Sequence, residues 1–199
     1  MAAHRLTEAH RLAQARLGAR TVAQMLAAWN ILDVEDLEAT TGPWLQAAVP
    51  LVQAQHRQSA ILAADYMRAF RAVQLGTLTG PTAVLAEFDP KRVTTSLTVT
   101  GPVSLKAAMA RGVDLATAAD TAQARSAAAG MRQSLAGGRE TIAATTTADP
   151  RAVGYVRVTS DKACEFCSML ADRGAVYSDD TAHFDAHDGC SCSGEPVYG

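Results

Sequence analysis

The four cysteines of this chain all fall between positions 164 and 192, as C-E-F-C at 164–167 and H-D-G-C-S-C at 187–192. A C-x-x-C turn puts two thiolates on one side of a tight loop, close enough to share one tetrahedral ion, and the H-x-x-C at 187–190 supplies a second such half. The 19 residues between Cys167 and His187 hold a turn at Arg173–Gly174 and an expected strand at Ala175–Tyr177, enough chain to bring the halves together. The ligand set read from this pattern is Cys164, Cys167, His187 and Cys190, holding a structural zinc. Donors outnumber places. Cys192 is an alternative ligand to Cys190, because a C-x-C pair can present either sulfur, and His183 is a sixth donor. A disulfide pair and unliganded redox thiols are the competing readings, but clustered cysteines in a reducing compartment point first to a metal. Four filled positions add folding energy to a tail too small for a core of its own.

Catalytic alternatives find little support. A thioredoxin-like redox pair wants an adjoining βαβ unit, which the pattern lacks. Zinc deaminases use H-x-E with P-C-x-x-C, and this chain has neither the H-x-E nor the proline. There is no glycine-rich phosphate loop and no nucleophile elbow, so no catalytic residue is assigned and no enzyme is expected. Asp179, Asp180, Asp185 and Asp188 could take a hard cation, and a solvated loop around the zinc explains them as well. Phe166 and Phe184 are expected to pack beside the metal.

Composition sets the rest of the fold. Of the 199 residues 48% are hydrophobic but only 5% aromatic, and alanine supplies much of the difference. Alanine favours helix and buries little area, so many helices with thin contacts are expected. The fold class is therefore mainly α: an elongated helical body over 1–150, with a small C-terminal β/zinc appendage over 151–199. Net charge is −2, and the appendage holds four basic residues (Arg151, Arg157, Lys162, Arg173) against eight acidic ones. A locally acidic tail does not grip a phosphate backbone. No apolar run reaches the roughly 18 residues that span a bilayer. The N-terminus lacks the apolar core of a signal peptide, so the expectation is a protein made in a reducing cytoplasm.

Residues 3–31 read as helix, with Gly18 a candidate kink or break and the arginines at 5, 11, 16 and 20 scattered around a solvated face. Asp33 can cap a short turn, and Thr40–Pro43 reads as a helix start. From there Trp44, Ala48, Leu51/Val52, Ile61/Leu62, Tyr66, Phe70 and Val73 keep helical period to Leu75, with a kink expected near Pro50 and a stop at Gly76. His56 falls on the polar side and is expected at the surface. Residues 76–92 read as a connector, and Val93–Thr100, rich in β-branched residues, as a strand. Helices are expected to Gly112 and from Asp114 to about Leu135. Gly137–Gly138 should break the second, leaving a short helix over Glu140–Thr147. Val153–Thr159 alternates and reads as a strand after the boundary at Asp149–Pro150.

The tail V-G-Y-V-R-V-T-S…A-C-E-F-C-S-M-L-A-D-R-G-A-V-Y…H-D-G-C-S-C…E-P-V-Y resembles the C-terminal part of MuF-like minor head proteins of tailed phages, particularly those of actinobacterial hosts. The matching features are the strand at 153–159, Cys164 and Cys167 with the following S-M-L-A-x-R-G, Tyr177, H-x-x-C-x-C at 187–192, and Pro196–Val197. The resemblance is specific over about residues 137–198, where G-G-R-E-T-I opens it, and stylistic before that. It implies a head component, internal or portal-associated, with Cys164, Cys167, His187 and Cys190 as metal-type ligands and Cys192 as the second cysteine of the C-x-C. Relatives carry a further histidine just before the position of His187; here Asp185 stands near that place and His183 two residues earlier.

Three functions follow as expectations. The first is a structural minor head protein in the virion, at the head interior or portal vertex, in multiple copies, acting in assembly and in DNA packaging or ejection. Its partners would be portal and capsid proteins, with no membrane contact. The second is a nucleic-acid-binding zinc module making weak contact with packaged DNA. The third, a zinc hydrolase or thiol oxidoreductase, is opposed by a fully occupied Cys/His site, which leaves no position for water.

Overall fold

The computed structural model describes residues 1–159, 165–172, 174 and 186–199. As the composition predicts, the chain is mainly helical with a small antiparallel sheet at its C-terminal end. Its body rests on three long helices that pack on one another: α1 (Ala2–Trp29), α2 (Leu37–Leu75) and α5 (Leu115–Ala148). Between α2 and α5 the chain crosses as an extended connector, then α3 (Pro90–Thr98), a wide π turn (Val99–Val103) and α4 (Ser104–Ala110).

α2 starts earlier than the Thr40–Pro43 signal suggests. The Asp36 carboxylate accepts from the Ala39 amide and caps the helix, so Pro43 and Pro50 both lie inside it. It stops at Gly76, whose φ of 67° is the left-handed cap expected there. α1 runs unbroken through Gly18. A Cβ at that glycine would stand 2.8 Å from the Met131 side chain, so the residue serves close helix packing.

Residues 93–100 are helix and π turn, not the expected strand. Asp89 caps the segment by accepting from the Lys91 and Arg92 amides, and Pro90 sits in its first turn. Val93, Leu97, Gly101 and Leu105 then recur every four residues on one buried face. That burial overrides the strand preference of β-branched residues, which is mainly a statement about packing on a pleated surface. The π turn absorbs Pro102, and at Gly101 the backbone comes within a Cβ's reach of Trp44 and Trp29. These two indoles meet edge to face at 5.6 Å and anchor one apolar core with Met25, Ala48, Val52 and the α3–α4 residues. A second core gathers Ala63, Tyr66, Met67, Phe70 and Ile142.

Between these cores the helices come closest. α5 continues through Gly137–Gly138, where a break was expected, as one helix of 34 residues. A Cβ at Gly137 would lie 2.2 Å from the His56 carbonyl oxygen, and one at Gly138 would meet Gln14 and Ser59. The pair is there to let α5 touch α2 and α1. Gln14 and Ser59 bond each other, and the Gly138 amide donates to the Ser59 hydroxyl. For the same reason His56, expected at the surface, is buried, while Ile61 and Val73, expected inside, are exposed. Within Gln55–Ser59, His56 and Ser59 face the glycines while Arg57 and Gln58 stay in solvent.

The appendage opens with β1 (Ala152–Val158), matching the predicted strand, and closes with β2 (Ser193–Tyr198), paired antiparallel from Val158↔Ser193 to Ala152↔Tyr198. A register shift at Val153 separates Ala152 from Gly154. Between the strands lies α6 (Glu165–Ala171). The sheet is tied to the body: Thr7 donates to Glu195, and Phe70 packs on Tyr198. No described helix is long and apolar enough to cross a membrane.

Candidate metal centre

Cys167 projects from α6, and Cys190 and Cys192 lie just before β2. The turn that delivers them is local chemistry. Gly189 adopts φ 77°, a conformation that costs other residues strain, and the Cys190 amide closes the turn onto the His187 carbonyl at 3.2 Å. The three sulfurs lie within 4.8 Å of one another and are buried. Cys167 Sγ stands 3.3 Å from Cys190 Sγ, which stands 2.8 Å from Cys192 Sγ, and none of the three is in a disulfide. The Cys192 amide points at Cys190 Sγ at 3.4 Å. With Ala186 these cysteines form a small core of their own.

His187 is exposed, with Nε2 3.6 Å from Cys167 Sγ. Its Nδ1 lies 2.9 Å from the Asp188 carbonyl, an acceptor, so the ring proton belongs on Nδ1 and the Nε2 lone pair faces the thiol. Phe166 lies beside it, ring centres 6.3 Å apart. Cys164, His183, Phe184, Asp179, Asp180, Asp185 and the strand expected at 175–177 lie outside the described residues. The structure therefore brings together Cys167, Cys190 and Cys192, with His187 against the first. Cys190 and Cys192, weighed as alternatives, both join the cluster.

Three arginines that sequence reasoning did not assign surround this loop. Arg139, on α5 and buried, donates from Nε to the Cys192 carbonyl at 3.0 Å and from Nη2 to the Cys190 carbonyl at 2.5 Å. Arg157, on β1 and also buried, donates from Nη1 to Cys192 Sγ at 2.9 Å. Arg132 pairs with Asp188 at 2.5 Å and reaches Ser96 with Nη2, which turns Asp188 from a hard-cation candidate into half of an ion pair. A signal was present. Arg125, Arg132 and Arg139 recur every seven residues, two turns apart on one face of a helix otherwise rich in alanine.

The surroundings favour charge on Cys190 and oppose it on Cys192. Cys190 is held far below the ordinary thiol range, at about 5, first by the hydrogen bond from Cys192; burial opposes, and the Cys192 amide and Arg139 assist. Cys192 is pushed up, first because it donates that bond and then by burial. Thiolates are what a soft divalent ion binds. The sulfurs of a tetrahedral zinc stand about 3.8 Å apart, so Cys190 and Cys192 would separate by about an ångström on loading. Donor types and burial fit a metal; three close buried cysteines can hold one.

A family model described as VG15 protein matches residues 1–199, the whole chain. The chain belongs to the VG15 family. This is a phage or viral protein family. No curated protein and no solved structure matches the chain.

Proposed function

We propose that the chain is a MuF-like minor head protein of a tailed phage, lodged inside the head or at the portal vertex, with a structural zinc in its C-terminal loop. The observation that carries this reading is the match of the entire chain to a phage protein family. It is joined by the likeness of residues 137–198 to MuF-like tails. The cysteine loop supports the zinc: Cys167, Cys190 and Cys192 would hold it, with His187 or Cys164 completing the set. Bound zinc would cross-link α6 to the start of β2, and with every position filled it offers no site for an activated water. The role is therefore structural rather than catalytic.

Portal or capsid subunits are the partners that suit the body. α1 leaves Leu12 and Leu26 partly exposed, and Ile31 follows them at its end, giving an incoming helix apolar contacts at low steric cost. The test is quantitative mass spectrometry of purified mature particles and procapsids. We expect the protein in both, at a fixed copy number per portal. Its absence from both kinds of particle would end the head-protein reading.

A further inference from the structure

We propose that Arg139 and Arg157 form a cationic collar that specifies an anionic metal–thiolate centre, with Cys192 a ligand alongside Cys167 and Cys190. The inference rests on the zinc reading above and deepens it, by saying which residues outside the ligand set decide what the site accepts.

The argument is electrostatic. Two guanidiniums, 3% and 5% exposed, address one six-residue loop, from the body on one side and from β1 on the other. A buried cation lowers the energy of an anionic complex beside it and raises that of a cationic one, whatever its other partners. A divalent metal with three thiolates and one imidazole carries a net charge of −1, and with four thiolates −2. Either complex is attracted by the collar. A divalent ion held by neutral ligands would instead bury its own two charges beside the two of the arginines, at a Coulomb cost that no exposed site would face. The collar therefore selects thiolate-rich coordination of a soft divalent ion and rejects hard cations.

It also chooses between the cysteines. Arg157 Nη1 stands 2.9 Å from Cys192 Sγ, a charge-assisted donor aimed at a sulfur that is anionic when it binds metal. Arg139 fixes both carbonyls of the C-x-C, so its two side chains are presented together rather than alternately. Residues that orient ligands in this way typically account for 10–100-fold in metal affinity.

The experiment uses the full chain, with zinc(II) alone titrated against a chromophoric chelator and cobalt(II) alone as the spectroscopic probe, the fold being checked by far-ultraviolet circular dichroism. We expect Arg157→Gln to weaken zinc 10–100-fold and Arg157→Lys, which keeps the charge, to stay within a few-fold of the wild type. Cys192→Ser should lose about a third of the thiolate-to-cobalt absorption of a three-thiolate centre. If the Gln variant does not fold, Arg157→Met supplies the neutral side chain with similar volume. A neutral variant that binds zinc like the wild type overturns the collar, as does a Lys variant as weak as the neutral one. Undiminished cobalt absorption in Cys192→Ser overturns the ligand assignment. A wild-type chain that takes up neither metal sinks the zinc reading itself, a result distinct from these.

Discussion

Around Trp29 and Trp44 the long helices are held apart by large apolar side chains, whereas around Gly137 and Gly138 they touch almost backbone to backbone. The first region follows the common rule, in which ridges of side chains fill grooves and stability scales with apolar area removed from water. The second buries little apolar area. Gln14, Ser59, His56 and His10 are all buried there or one turn away. What holds it is close contact and satisfied polar groups, since Gln14, Ser59 and the Gly138 amide exchange hydrogen bonds in the interior. Such a waist is intolerant by construction. A larger side chain cannot be absorbed by a rotamer change, because the obstacle is the partner's main chain.

The largest effect expected from this difference is at Gly137. Alanine there would place Cβ 2.2 Å from the His56 carbonyl oxygen, an overlap relieved only by moving α5 off α2. We expect a loss of about 4 kcal/mol or more, at the upper end for overpacked interiors, read from urea denaturation. A variant within about 1 kcal/mol of the wild type would show that the waist is soft and that glycine there is incidental.

The same contrast explains what the sequence revealed. At the apolar end, Trp44, Ala48 and Val52 announce the inward face of α2 by their spacing, and burial confirms it. At the waist the signals invert. Gly137–Gly138 looks like punctuation, and His56 looks like a surface residue, because local sequence records propensity but not which backbone lies opposite. Val93–Thr100 misleads for a related reason: its β-branched residues are helical because Asp89 and Pro90 start a helix whose Val93 and Leu97 find a core. At the candidate metal centre the cysteine and histidine spacing is legible. The spacing of Arg132 and Arg139 is visible too, but their grip on the loop is not, since the carbonyl acceptors that give Arg139 its role arrive from 51 and 53 residues away.

A second way to sharpen the comparison uses pH. His10 stacks on Tyr66 at 4.5 Å, and its Nε2 has no partner among the described residues. Burial pushes its pKa down to about 4, against a weaker opposing bond to the Leu62 backbone; His56 is lowered too, again chiefly by burial. Both rings are therefore neutral in the folded chain, while in the unfolded chain they take up protons below about 6.5. Stability from this source is fully present above that pH and is lost as pH falls toward 4. For His10 the loss amounts to about 3 kcal/mol. His10→Phe keeps the stack on Tyr66 and removes the proton, so the fall in stability between pH 7 and 5 should flatten relative to the wild type. An unchanged pH profile would assign acid sensitivity to other groups, His56 and the thiolates among them.

The smallest effect isolates what glycine costs when nothing is packed against it. Gly42 lies inside α2, exposed, and a Cβ built on it meets nothing within 4 Å beyond its own chain neighbours. Its backbone is helical and Pro43 follows it, so alanine trades lost unfolded-state freedom against contact of its Cβ with the proline ring. We expect Gly42→Ala to leave stability within about 1 kcal/mol of the wild type, far from the loss expected of Gly137→Ala on the same thermodynamic scale. The pair therefore separates backbone entropy, common to both glycines, from helix contact, present only at the waist. A loss as large as that of Gly137→Ala would mean that α2 has a neighbour at that position in solution, because contact with the Pro43 ring alone does not reach it.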